Sequence, residues 1–233
     1  MTGAHGKSVG VTAEELAITY PKLYHMAADG AWPSIEKYGL LSTSRLLDLF
    51  EVPAETRRSI EQARRANSFE IQHSKYGKAV IRDQKPLSEK RLKSCLKGCD
   101  VRTWLLMLNN RVFLWLDLAR LKTMMSAKAY AGKRHTILTL DTLTLVRAYK
   151  ERITLCPLNS GCTSPFAWPR GPHSFMPLGE YPFKDRKNRG PYGQVVELAV
   201  KDGIPNVKLH VTEVALGRCS NDRLTKTAIL FKR

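Results

Sequence analysis

Tyr24-His25-Met26, followed by Trp32-Pro33-Ser34-Ile35-Glu36-Lys37-Tyr38-Gly39-Leu40-Leu41-Ser42-Thr43, is the stretch whose reading decides the fold. Leu23 to Met26 is short, apolar and aromatic, which predicts a strand with a histidine near its end. Trp32 to Tyr38 predicts a helix, with Pro33 in its first turn and Gly39 just past its last, where a left-handed residue closes a helix. Leu40-Leu41 then resumes in extended form. Strand, helix and second extended piece follow within twenty residues.

Outward from there the pattern stays mixed. Residues 1–11 are small and polar and read as a disordered tail, leaving 12–233 as one domain. Thr12 and Glu15 form a capping-box pair, so a helix starts there and ends before Pro21. Ser44 to Phe50 predicts another helix. Pro53 to Asn67 is strongly charged, with Arg57, Arg58, Arg64 and Arg65 at helical spacing. Such a stripe is either a solvated face or an edge that contacts phosphates. Phe69 to His73 and Lys78 to Asp83 read as strands, Ser88 to Leu96 as a helix, and Asp100 caps a helix to Asn109.

Arg111-Val-Phe-Leu-Trp-Leu116 is β-rich and mostly apolar, the mark of a central strand covered on both faces. Asp117 to Tyr130 returns to helical periodicity. His135 to Leu140 predicts a strand, Thr142 to Tyr149 a helix, and Ile153 to Leu155 a further strand. Between Pro157 and Gly193 prolines and glycines crowd out periodicity, predicting a long loop region, and loops of that length in a compact domain are usually functional or disordered. Gln194 to Val200, Leu209 to Val214 and Ala228 to Phe231 read as closing strands, with a turn at Gly203 to Val207. Helices concentrate early and strands late, without βαβ alternation, so the class is α+β with N-terminal helices.

Composition narrows the partners. Lysine and arginine total 38 against 21 acids, a net charge of +17, which creates a long-range positive potential and makes nucleic acid the expected partner. Hydrophobic residues at 43% supply a globular core. No run of 18 apolar residues occurs, so no membrane span is expected, and no signal-peptide core precedes the domain, which makes the cytoplasm the expected compartment. Five cysteines in an odd count predict free thiols. The Cys95-x3-Cys99 pair lacks a completing histidine, so no metal site is expected. Gly-x-Gly-x-x-Gly, a Walker loop, His-Glu-x-x-His and a nucleophile elbow are all missing, which disfavours a classical dehydrogenase, nucleotide triphosphatase, zincin or serine hydrolase.

Three segments then line up. They are His25 with the helix and Gly39-Leu40-Leu41-Ser42-Thr43, the Arg111–Leu116 strand leading to Ala129-Tyr130, and Val195-Val196-Glu197-Leu198-Ala199-Val200 with Gly203-Ile204-Pro205. In order and spacing they resemble the ADP-ribosyltransferase superfamily, in particular the DarT-type nucleic-acid ADP-ribosyltransferases and, more remotely, the RNA 2′-phosphotransferases. A bacterial domain family of unknown function in the same superfamily is a closer likeness. The resemblance runs from Tyr20 to about Val214.

The resemblance implies a split-sheet core that consumes NAD, releases nicotinamide and transfers ADP-ribose to DNA or RNA. A toxin or phage-defence role with an antitoxin partner goes with it. It implies His25 on the adenosine ribose, the Met26 backbone on the nicotinamide amide, and Glu197 as the catalytic glutamate. Ser42, Thr43, Trp115 and Tyr130 are implied to line the NAD site, with Phe113 and Trp115 competing with Tyr130 for the stacking place. Glu213 competes with Glu197. Acceptor contacts are expected from Arg57, Arg58, Arg64 and Arg65 and from Lys184, Arg186, Lys187 and Arg189. Arg82-Asp83-Gln84 stands where the family carries an arginine-rich stretch and departs from it. The alternatives are a non-catalytic nucleic-acid-binding module on the same fold and a 2′-phosphotransferase-like enzyme.

Overall fold

Thr12 Oγ1 accepts from the Glu15 N–H at 3.1 Å while the Glu15 carboxylate accepts from the Thr12 N–H at 3.0 Å. This reciprocal box starts α1 (Ala13–Thr19). The computed structural model describes residues 10–183 and 194–233. Val11, expected in the tail, is buried, and its N–H donates to the Leu178 carbonyl. After α1 come β1 (Lys22–Ala27), α2 (Trp32–Tyr38), β2 (Leu40–Leu41), α3 (Thr43–Leu49) and α4 (Ala54–Gln62). A hairpin of β3 (Phe69–His73) and β4 (Gly77–Ile81) precedes α5 (Glu89–Cys95) and α6 (Val101–Asn109). Then follow β5 (Arg111–Trp115), α7 (Leu118–Ser126), β6 (His135–Asp141), α8 (Thr142–Tyr149) and β7 (Ile153–Cys156). The chain closes with β8 (Met176–Pro177), β9 (Glu197–Lys201), β10 (Gly203–Ile204), β11 (Val211–Ser220) and β12 (Arg223–Lys232).

Eight of these strands form one antiparallel sheet in the order β12-β11-β6-β1-β5-β9-β7-β8. The α+β class therefore holds, and β5 lies centrally as its apolar composition requires. One face buries Leu23, Leu114, Leu138, Leu140, Leu198 and Val200 under α1, α2 and α8 in a continuous core. The other face is covered in two patches. Under α7, its own Leu121 and Met125 meet Met26, Tyr130 and Ile137. Under α6, its own Trp104, Leu105 and Leu108 meet Cys156 and Ala199 of the sheet. A fourth cluster under α3, α4 and the β3–β4 hairpin collects Leu47, Phe50, Ile60, Ile71 and Ile81.

Element edges depart from the sequence expectation in four places. α7 ends at Ser126 because Ala127 turns extended, so Tyr130 sits on a turn held by its N–H to the Ala127 carbonyl at 2.7 Å. β9 begins only at Glu197, although the Val196 N–H already reaches the Cys156 carbonyl. Gly203–Ile204 is not merely a turn: it pairs with Leu40–Leu41 as a separate two-stranded sheet. β11 and β12 run ten residues each, joined at Asn221 and Asp222, both in the left-handed region. The outer half of that hairpin escaped the sequence because Arg223 to Thr227 of β12 is mostly polar and exposed, while the buried positions of β11 there are the small residues Ala215, Gly217 and Cys219, which give a weak apolar signal.

Candidate functional site

The middle of the sheet is held unevenly. β1 and β6 are paired along the whole of β1, from Lys22↔Asp141 to Ala27↔Thr136, but β1 and β5 share only Tyr24↔Trp115. Past that pair the two strands part. The His25 imidazole bonds the Phe113 carbonyl at 2.9 Å, and Arg82, delivered from the end of β4, donates from Nη1 to the Met26 carbonyl at 3.5 Å. Side chains thus take up backbone groups that a continued ladder would have used.

A carbonyl only accepts, so the proton of His25 lies on Nδ1 and Nε2 presents a lone pair. Burial pulls the His25 pKa down to about 4, and the neighbouring Arg82 cation lowers it further against the opposing carbonyl bond. His25 is therefore a neutral, oriented acceptor at physiological pH.

Glu197 is reached by register. Tyr24 opposes Trp115 and Trp115 opposes Glu197, so three side chains line up across β1, β5 and β9 on one face. Strands lie about 4.8 Å apart, which puts the ends of this row about 10 Å from each other. His25, the next residue along β1, projects to the opposite face: its register partner Leu138 lies in the core under α1, α2 and α8, and its ring reaches across to the Phe113 carbonyl of β5. Trp115 belongs to the α7 patch and Phe113 packs against the α6 patch, so the row follows the seam between them.

Glu197 is 3% exposed, and its Oε2 accepts from the Ser160 N–H at 3.1 Å. Burial raises its pKa to about 7, against the Ser160 bonds and the more distant Arg170 and Arg120 cations. Desolvation wins because Arg170 is committed elsewhere. Arg170 Nη1 donates to the Asn159, Ser160 and Cys162 carbonyls and its Nε to that of Trp168. The same guanidinium thereby fixes the loop that caps Glu197. Cys156, opposite Glu197 on β7, has its thiol pushed up by burial and then by the carboxylate, so it is no thiolate at neutral pH.

Tyr130 is buried; its hydroxyl donates to Asp83 Oδ1 at 2.9 Å and the Arg82 guanidinium lies 5.5 Å from its ring centroid. Burial raises its pKa to about 12. It buttresses Arg82, while the half-buried Trp115 holds the central place in the row. Met26 is buried beside Tyr130. Ser42 caps α3, whose first residue is Thr43: the buried Ser42 accepts at its hydroxyl from the Arg45 N–H. Glu213 continues the same lateral row through Thr139, two strands beyond Tyr24, but is paired with Lys226.

The arginine stripe divides. Arg57 is paired with Glu61 at 2.8 Å and with Asp48. Arg65 is buried and donates to Ile60 and Arg82 carbonyls and to Asn109 Oδ1, so it braces the β4 end against α6 instead of reaching a phosphate. Burial pulls its pKa down to about 10. Arg58 is exposed, and Arg64 is half-buried and donates to the Leu87 and Lys85 carbonyls. Lys184, Arg186, Lys187 and Arg189 lie outside the described residues.

Sequence reading gave Arg82 no firm role and left out Ser160 and Arg170. Ser160 acts through its backbone N–H, which carries no residue signature, and Arg170 is a single cation in an irregular loop. Among the described residues no three His, Cys, Asp or Glu groups gather as metal ligands, and no helix is long and apolar enough to cross a membrane.

No curated protein matches the chain. A family profile does match it, that of a family of unknown function, DUF7002, over residues 21–211. That span runs from the residue before β1 to the start of β11 and includes His25, Arg82, Trp115, Tyr130, Ser160, Arg170 and Glu197. A match over most of the chain, taking in the whole seam, makes this protein a member of the DUF7002 family.

Proposed function

We propose that the protein is an NAD-dependent ADP-ribosyltransferase that releases nicotinamide and transfers ADP-ribose to a nucleic acid. The observation that carries this reading is the parting of β1 and β5, with the Tyr24–Trp115–Glu197 row on one face and the His25 imidazole reaching into the gap from the other to the Phe113 carbonyl. A neutral imidazole, an aromatic face and a buried carboxylate are the groups that the chemistry needs, and here they come from three neighbouring strands around the gap between β1 and β5.

In this reading His25 Nε2 accepts from a hydroxyl of the adenosine ribose. Trp115 supplies a flat surface for the nicotinamide ring. The Met26 carbonyl takes the carboxamide N–H once Arg82 moves aside. The bond between the ribose C1′ and the nicotinamide nitrogen breaks, and nicotinamide leaves with the electron pair. Positive charge builds on the sugar, as in glycoside hydrolysis. Ionised Glu197 stabilises that charge and holds the 2′-hydroxyl. An acceptor nitrogen or oxygen then bonds C1′ and gives up its proton. The excess of 17 positive charges favours a polyanionic acceptor. A toxin or defence effector countered by an antitoxin fits such an activity.

One observation favours a second reading, a non-catalytic nucleic-acid-binding domain on the same fold. Glu197 is closed over by the Ser160 loop, and a carboxylate that only caps a backbone N–H has a structural role. Incubation with NAD and single-stranded DNA or RNA separates the two. The expected result is free nicotinamide and a polymer heavier by one ADP-ribose, with Glu197→Gln at least about a hundred-fold slower. Polymer binding without any nicotinamide release would establish the second reading. Loss of a phosphate from 2′-phosphorylated RNA would instead mark a 2′-phosphotransferase.

A further inference from the structure

The two edges of the eight-stranded sheet are unlike. At one end β8 has two residues and closes on Pro177, which has no N–H to offer a further strand. At the other end β12 runs ten residues without a proline, and β11 is its only neighbour in the sheet. Its outer row of backbone N–H and C=O groups therefore has no strand to pair with among the described residues. Apolar residues stand in the middle of this edge. Ile229 is 49% and Leu230 43% exposed, and Ala228 beside them is exposed as well. Leu209, also exposed, lies at the end of the strand, where Arg233 Nη1 donates to the Leu209 carbonyl at 3.0 Å. A single exposed apolar residue is ordinary, but consecutive ones on a long unpaired edge mark a contact surface.

Charge determines what such an edge accepts. β12 carries Arg223, Lys226 and Lys232 and no acid. Lys226 is paired with Glu213 of β11, while Arg223 and Lys232 are exposed. Arg218 of β11 is a further exposed cation, opposite Thr225. An antiparallel second copy centred on Ala228 would set Arg223 against the copy's Arg233, and like charges facing each other across a strand pair repel. The chain's own stretches outside the described residues match no better: 1–9 has Lys7 and no acid, and 184–193 has four cations against Asp185. Two register shifts against β11 leave Thr227 and Leu230 without opposite partners, and the twist of such shifts discourages casual edge-to-edge pairing. An edge that repels its own copy and other basic strands stays open to an acidic one.

We propose that the outer edge of β12 is a docking site for an extended acidic segment of a partner protein, which pairs with it as a ninth strand of the sheet. Main-chain hydrogen bonds along the edge supply the affinity. Ile229 and Leu230 meet apolar side chains of the segment, and Arg223 and Lys232 meet its carboxylates. The docked strand lies away from the seam, because β11 and β6 stand between β12 and β1. The proposal goes beyond the reaction proposed above and does not rest on it.

The test measures binding of the full chain to labelled, end-capped peptides of about ten residues, the length of the strand. One peptide alternates valine with glutamate, and a second alternates valine with lysine. The acidic peptide should bind and should slow amide hydrogen exchange in β12 but not in the β3–β4 hairpin. Methylating every second backbone nitrogen of that peptide keeps its charge and removes its ladder donors. In one of the two alternate phases this should weaken binding at least about ten-fold. The lysine peptide should not bind to the parent. Arg223→Glu/Lys232→Glu should weaken the acidic peptide by about ten-fold and admit the lysine one. No binding of the acidic peptide, equal binding of both methylated forms, or slowed exchange only outside β12 would overturn the proposal. So would dimerisation of the chain that slows exchange in β12, since the occupant would then be a second copy. No NAD is present in any of these measurements, so nicotinamide release is judged separately from them.

Discussion

Glu197 and His25 make opposite demands on pH, and both follow from burial. The glutamate pKa rises from 4.5 to about 7, so the stability it allows is fully present below 4.5 and is lost as pH rises through about 7. The loss is on the order of 3 kcal/mol. The histidine pKa falls from 6.5 to about 4, so its stability is fully present above 6.5 and is lost as pH falls toward 4. Glu197→Gln keeps an acceptor for the Ser160 N–H but removes the buried charge. Its melting temperature should exceed the parent's at pH 8 and match it near pH 5, and an equal gain at both would contradict a buried, titrating carboxylate. The proposed reaction asks for the form that stability disfavours. Nicotinamide release by the parent should rise with pH, with its midpoint at about 7. A flat profile between pH 5 and 8 would remove Glu197 ionisation from the rate.

At the scale of elements, β2 and β10 clamp the start of α3 to the end of β9 through two glycines. Gly39 has φ +92°, and a Cβ there would stand 2.6 Å from the Pro205 Cα; Gly203 has φ +119°, with the Leu40 carbonyl oxygen 2.5 Å from its Cβ position. Neither neighbour is a flexible side-chain tip. Gly39→Ala should therefore cost about 2 kcal/mol or more, read as a lowered denaturation midpoint with an unchanged slope. A variant as stable as the parent would mean that β10 can withdraw freely from β2. Gly39 was legible as a helix stop, and so were the Thr12 and Asp100 caps, because capping is local and its residue types are few. The β2–β10 pairing was not, because it joins two dipeptides far apart in sequence.

The whole molecule carries its excess charge around a sheet whose cations play different roles. Arg65, Arg82 and Arg170 are structural braces, while Lys85, Arg58 and Arg91 face outward. Polymer affinity should therefore fall linearly with the logarithm of salt concentration, with a slope corresponding to a few phosphates and not to all 17 excess charges. A slope near zero would argue against phosphate contacts and against a polyanionic acceptor for the proposed transfer.

The order of strands and helices, the central place of β5, the capping of the early helices and the basic balance were all set by local composition and spacing, which act within a turn or a strand. His25 and Glu197 could be named as a pair only by resemblance. What joins them is a ladder running from Tyr24 through Trp115, across 173 residues of chain between the first and the last member. That separation is closed by long-range pairing and burial, and the same burial sets both pKa values. Arg82 in the parting of β1 and β5, Ser160 over the carboxylate and Arg170 behind it were decided by tertiary structure alone, since each contact has a backbone group on one side, which the identity of no single residue reveals.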